Sequence, residues 1–159
     1  MRVLIIGAAG MLGGRLAERL ARDGRLGDER ISGLTLVDRV AADPPADPGI
    51  PVESAAADLS EPGAAAALAA GRPDVIFHLA AVVSGEAEQD LEKGYRVNLD
   101  ATRMLLDAIR ACGGGYRPRL VFSSSIAVFG PPFPDVIGDD HVPTPATSYG
   151  TQKAMAELL

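Results

Sequence analysis

The chain has 159 residues, 47% of them hydrophobic, with a formal net charge of -6 and a sequence pI near 4.8. That length suits one domain with a buried core, and the acidity speaks against nucleic acid or an anionic membrane as partner. A single cysteine, Cys112, excludes an intrachain disulfide and a cysteine-based metal site, and with only His78 and His141 beside it no metal is expected.

The first element is a short apolar run, Val3-Leu4-Ile5-Ile6, of the kind buried on both faces in a parallel sheet. It opens the chain with no signal-peptide arrangement, and no apolar run reaches the roughly 18 residues of a membrane span, so a cytoplasmic protein is expected. A glycine turn leads into an amphipathic helix over Met11 to Arg22, with Leu12, Leu16 and Leu20 on one face. Leu34 to Val37 reads as the second strand, ending at Asp38. The segment from Ala41 to Pro51 holds four prolines and can be neither helix nor inner strand. Val52 to Ser54 is a short third strand, and Pro62 to Ala70 an alanine-rich helix with Pro62 near its first turn. Asp74 to Leu79 is the fourth strand. One long helix is expected over Leu91 to Cys112, with Val97, Ala101, Met104, Leu105 and Ala108 inward, stopped by Gly113-Gly114-Gly115. Leu120 to Ser123 is the fifth strand. A Pro-rich loop from Gly130 to Pro145 then precedes a helix beginning near Ser148. Strands alternating with helices imply an α/β fold with a doubly wound parallel sheet.

Two groups of residues in this frame carry chemistry. Gly7, Gly10 and Gly13 stand between a buried strand and a helix, with Met11 and Leu12 at the helix start. Glycine there lets the backbone approach a pyrophosphate, whose charge meets unpaired N–H groups and the helix dipole. Asp38, at the end of the second strand, can accept both ribose hydroxyls of an adenosine, and its charge would repel a 2′-phosphate, which favours NAD over NADP. Arg39 beside it can stack on an adenine or contact a phosphate. Asp58 and Leu59 either meet the adenine, or Asp58 caps the turn that follows. The second group is Tyr149 and Lys153, four residues apart and so on one face of a helix. An ammonium beside a phenol favours the phenolate, which can act as a general base. Lys153 is one of only two lysines in the chain.

Gly7-x-x-Gly10-x-x-Gly13, Asp38, Asp58-Leu59, His78-Leu79-Ala80-Ala81, Asn98, Ser123-Ser124-Ser125 and Tyr149-x-x-x-Lys153 stand in one order along the chain. In that order, over the whole length, the sequence resembles the extended short-chain dehydrogenases/reductases, the NAD-dependent epimerase/dehydratase group. The resemblance implies a Rossmann-like fold with NAD across the strand C-termini. It directs Gly7, Gly10, Met11, Leu12, Gly13, Asp38, Asp58, Leu59, Leu79, Ala80, Ala81, Asn98, Ser123, Tyr149 and Lys153 toward the cofactor. It implies a catalytic set of Ser125, Tyr149 and Lys153, in which Ser125 holds a substrate hydroxyl and Tyr149 takes its proton. Asn98 either is a buried structural amide or holds the active-site geometry.

Within the group, Leu79 to Glu88 is similar to the segment of members that oxidise a small sugar acid at its 2-hydroxyl, which implies a hydroxy-acid substrate touched by Ser84, Ser125 and Tyr149. Glu86, in the polar loop Val83-Ser84-Gly85-Glu86, would repel a carboxylate unless it faces away. A nucleotide-sugar epimerase or dehydratase, and a non-catalytic NAD-binding module, are the alternatives. The group also implies a homodimer built on the helix from Leu91 to Cys112 and the one starting at Ser148. Because its members are longer, residues 1–159 are expected to be the NAD-binding domain, ending inside the helix that carries Tyr149 and Lys153. The C-terminal substrate region is then expected to be missing, and the fragment alone inactive.

Overall fold

The apolar run at the N-terminus forms β1 (Arg2–Ile6), the central strand of a five-stranded parallel sheet. A computed structural model describes all 159 residues, which group into two compact units: Met1–Ala80 with Met104–Ser123, and Ala81–Arg103 with Ser124–Leu159.

In the first unit β1 is followed by α1 (Met11–Asp23), β2 (Arg25–Leu26), β3 (Glu29–Arg30), β4 (Gly33–Asp38), β5 (Val52–Ala56), α2 (Ala64–Ala70) and β6 (Val75–His78). β7 (Arg119–Phe122) completes the sheet in the order β5-β4-β1-β6-β7, so the winding direction reverses between β1 and β6. Ile6 is level with Val37 and His78, and His78 with Phe122. Gly7, Asp38, Leu79 and Ser123 therefore all leave the sheet at one rim. On one face Val3, Ile5, Leu34, Leu36 and Val75 cluster with Ala17, Leu20 and Ala21 of α1. The intervening Leu4, Ile6, Val37 and Ile76 are buried as well, which is why β1 and β6 read as apolar runs rather than alternating ones, while β4 is broken by the half-buried Thr35.

Several boundaries differ from the sequence expectation, each for a local reason. Leu12 is exposed rather than in line with Leu16 and Leu20, because α1 enters over the sheet on Gly13, Ala17, Leu20 and Ala21. The proline-rich segment carries neither helix nor strand, but β5 runs two residues beyond Ser54, paired along β4 as far as Asp38. Pro62 lies outside α2, whose cap is Gly63 at φ +84°. The β2–β3 hairpin, turned by Gly27 at φ +58°, has strands of two residues each, too short to leave a pattern.

The second unit holds α3 (Ser84–Gln89), α4 (Leu91–Tyr95), a π-helical turn (Arg96–Asp100), the start of α5 (Ala101–Ala111), a 3-10 turn (Ile126–Val128) and α6 (Ser148–Glu157). Ser84 to Glu86, expected in a loop, is the first turn of α3. The single long helix is interrupted by the π turn, where Ala101 N–H reaches back to the Arg96 carbonyl and the Thr102 hydroxyl donates to the Asn98 carbonyl at 3.2 Å. Ala101 and Leu105 are buried as expected, Val97, Met104 and Ala108 only partly, and Asn98 and Thr102 join the buried set. Gly113, Gly114 and Gly115, all at positive φ, follow the end of α5.

Candidate functional site

The glycine loop of the first unit is tight for steric reasons. Gly7, at φ +93°, and Ala8 both donate their N–H to the Val37 carbonyl, at 2.8 and 3.1 Å. A Cβ on Gly7 would sit 2.6 Å from the Ala80 nitrogen, and one on Gly13 would sit 2.1 Å from the Gly7 carbonyl oxygen. At Gly7 and Gly13 the loop thus admits backbone only, and α1 comes down onto the end of β1. Gly10 caps α1 without any side-chain bond to the helix N-terminus, and Met11 and Leu12 are exposed beside it. The cradle fits an anionic pyrophosphate: backbone close enough to touch, N–H groups without a side-chain cap, and no acidic residue in the first turn.

Asp38 sits where the sequence placed it, and its carboxylate accepts from Ala9 N–H at 3.0 Å and Arg39 N–H at 2.7 Å, bracing the loop. Asp58 caps its own turn, accepting from Ser60 N–H at 2.9 Å and Ser60 Oγ–H at 2.6 Å. Arg39 points its guanidinium at Asp58, 3.6 Å away. Leu59 is buried, Leu79 and Ala80 partly so, and Ser123 N–H donates to the His78 carbonyl at 3.1 Å. His78 is buried with its ring edge-on to Phe122, a strand-end histidine of the core.

In the second unit α6 is seated at its start by three contacts. Thr147 caps it, its Oγ1 accepting from Gly150 N–H at 3.0 Å, while Glu88 of α3 accepts from Tyr149 N–H at 3.0 Å. These bonds, from Tyr149 N–H and then from the Ser148 hydroxyl, hold the Glu88 carboxyl below its ordinary range. Gly150 packs so closely on the 3-10 turn that a Cβ would lie 2.1 Å from the Ala127 carbonyl oxygen. That contact draws α6 against the turn capped by Ser125, whose Oγ accepts from Ala127 N–H at 3.2 Å without using its own hydrogen.

Lys153 is buried to 1% exposure, and loss of hydration lowers its pKa from 10.5 to about 8, opposed by Glu157 one turn later. Tyr149, one turn before, is half-buried. Asn98 is a hydrogen-bonded amide: its Oδ1 accepts from Val82 N–H at 2.8 Å, and its Nδ2 donates to the Val82 carbonyl at 3.1 Å and to Gln152 Oε1 at 2.8 Å. Ser84 is exposed at the head of α3, and Glu86 forms an ion pair with Lys93. Ala81 is exposed. The sequence assigns no role to Glu88, Gly94, Gly150 or Gln152, since each meets its partner far away in the chain: Tyr149 for Glu88, Gln152 for Gly94, Ala127 for Gly150 and Asn98 for Gln152. No three His, Cys, Asp or Glu side chains come together in a way that could hold a metal ion. No helix is long and apolar enough to cross a membrane.

A parallel sheet that reverses direction at a glycine cradle, with an aspartate at the end of the next strand, defines a Rossmann-like dinucleotide-binding protein. The profile of the NAD dependent epimerase/dehydratase family matches residues 3–159, and the chain belongs to that family. It is 45% identical over its whole length to a D-erythronate dehydrogenase of Cupriavidus necator, and spans 49% of that relative. Among solved structures it resembles a nucleoside-diphosphate-sugar epimerase from Agrobacterium tumefaciens, with 57% identity, a TM-score of 0.95, and coverage of 99% of this chain and 47% of that one. It also resembles a mutant uronate dehydrogenase from Agrobacterium tumefaciens complexed with NAD, with 32% identity, a TM-score of 0.79, and coverage of 99% and 53%. The chain thus spans about half the length of the curated relative and of the solved structures it matches.

Proposed function

We propose that this chain is the cofactor-binding and proton-transferring part of an NAD-dependent dehydrogenase, acting in the cytoplasm as a homodimer, that oxidises the 2-hydroxyl of a small sugar acid such as D-erythronate. The observation that carries the reading is Lys153, an ammonium kept buried one helical turn beyond Tyr149 on a helix whose start is held by Thr147, Glu88 and Gly150. The similarity to the Cupriavidus enzyme supports the substrate class.

In this reading Gly7, Gly10, Met11, Leu12 and Gly13 face the pyrophosphate, with Asp38 on the adenosine ribose. Bound NAD supplies the hydride acceptor. Ser125 donates its unused hydroxyl hydrogen to the substrate oxygen and orients it. Tyr149 takes the proton from the substrate hydroxyl, with the Lys153 charge one turn away on the same helix. Desolvation strengthens that charge's action on its neighbours, since few waters screen it. Asn98 holds the backbone of Val82, which leads into Ser84 at the substrate end.

Tyr149→Phe tests this directly in the intact protein. NADH formation from D-erythronate is expected to fall by roughly 10²- to 10⁴-fold, the usual worth of a general base, with NAD affinity unchanged. Unchanged turnover would remove Tyr149 from the mechanism. The Agrobacterium neighbour's description as an epimerase favours a second reading, a nucleotide-sugar epimerase. Such an enzyme returns its hydride within one turnover, so net NADH from the sugar acid and none from nucleotide sugars separates the two.

A further inference from the structure

Gln152, between Tyr149 and Lys153, is fully buried, yet its amide makes one hydrogen bond and leaves Nε2 without a partner. An apolar side chain of that length would fill the space with no orphaned donor, so the purpose of the amide lies in the bond it does make. The polarity of that bond is imposed from outside. Val82 N–H must find an acceptor, which turns Asn98 Oδ1 toward it and leaves Asn98 Nδ2 to donate to the Val82 carbonyl and to Gln152. Gln152 can therefore present only its oxygen, and its nitrogen is turned toward Gly94. Space for it exists because residue 94 has no side chain: a Cβ there would lie 2.6 Å from Nε2 and 2.9 Å from Oε1.

These contacts close a ring. Val82 leads into α3, Glu88 of α3 holds Tyr149 N–H, and one turn further along α6 Gln152 returns through Asn98 to Val82. Resting on the dehydrogenase reading above, we propose that Gln152 is a positioning residue that, with Gly94 making room for it, ties the Tyr149–Lys153 turn of α6 to the Asn98 turn and so to the backbone that carries Ser84. Thr147, Glu88 and Gly150 seat α6 at its start, and the Gln152–Asn98 bond fixes it one turn further along, beside Tyr149 and Lys153. A displacement of about 1 Å between proton acceptor and substrate costs on the order of 100-fold in rate.

The test compares wild type, Gln152→Met and Gln152→Glu in the intact protein by three measurements: kcat for NADH formation from D-erythronate, equilibrium NAD affinity, and the titration of Lys153 followed by NMR of ¹³Cε-labelled lysine. Gln152→Met, similar in length but unable to accept, is expected to lose roughly 10- to 100-fold in kcat with NAD affinity unchanged. Its Lys153 titration should move from about 8 toward the ordinary lysine value, since a loosened α6 admits water. Gln152→Glu keeps an acceptor for Asn98 and should recover most of the rate. Wild-type kcat and an unmoved Lys153 titration in the methionine variant would overturn the assignment, as would a glutamate variant no better than the methionine one. If Gln152→Met prevents folding, Gln152→Asn, too short to reach Asn98, replaces it in the same measurements. If the wild type makes no NADH from any hydroxy acid, the dehydrogenase reading fails, and the lysine titration still decides the role of Gln152.

Discussion

At the scale of single residues, Lys153 combines burial with a charge. Its pKa of about 8 in the fold, against 10.5 when hydrated, means that between these values the folded chain binds fewer protons than the unfolded one. Stability therefore rises with pH through that window. The cost is fully present below about pH 8, reaches at most about 3 kcal/mol, and is gone above about 10.5. Lys153→Met should accordingly stabilise the fold at pH 7, abolish this slope in urea unfolding, and abolish turnover. Asp38 gives a second prediction. Its carboxylate already braces Ala9 and Arg39 N–H, so Asp38→Ser should both loosen the loop and remove the charge that opposes a 2′-phosphate. Cofactor titrations should show weaker NAD binding and an NAD over NADP preference reduced about tenfold or more.

At the scale of elements, glycines decide how closely α1 and α6 approach their neighbours. Gly150 is level with the Ala127 carbonyl, a backbone atom that cannot swing aside. Gly150→Ala should destabilise the protein by about 1–3 kcal/mol and lower turnover, because the helix bearing Tyr149 must shift. Gly85 in α3 offers the contrast, with nothing within 4 Å of the place a Cβ would take and no positive φ. Gly85→Ala should be neutral or stabilising by up to about 1 kcal/mol in the same urea series. The helix expected over Leu91 to Cys112 shows the limit of periodicity: an apolar face runs along Ala101–Ala111, whereas the π turn at Arg96–Asp100 leaves no mark in a 3.6-residue repeat. That turn places Asn98 where it bonds both backbone groups of Val82, sixteen residues earlier.

At the scale of the whole molecule, a ligand that binds only the folded state stabilises it by mass action. NAD at 100 times its dissociation constant is expected to add about 2.7 kcal/mol, read as a rise in thermal midpoint. Gly13→Val should abolish that rise, since its side chain would meet the Gly7 carbonyl.

Much of this was legible from residues alone. Both-face burial wrote β1 and β6 as apolar runs, and the cradle, Asp38 and the Tyr149–Lys153 spacing are all local patterns. Side-chain partners were what the sequence left open. In the fold Asp58 bonds Ser60, Glu86 faces Lys93, and Asn98 bonds Val82, sixteen residues earlier. Gln152 acquires a role only through Asn98, 54 residues away, and through the space left at Gly94. Periodicity and turn chemistry are properties of neighbouring residues, so the chain declares them before it folds. The pairing of buried amides, and the room for them, arises only when distant segments are packed together and each polar group must find a partner.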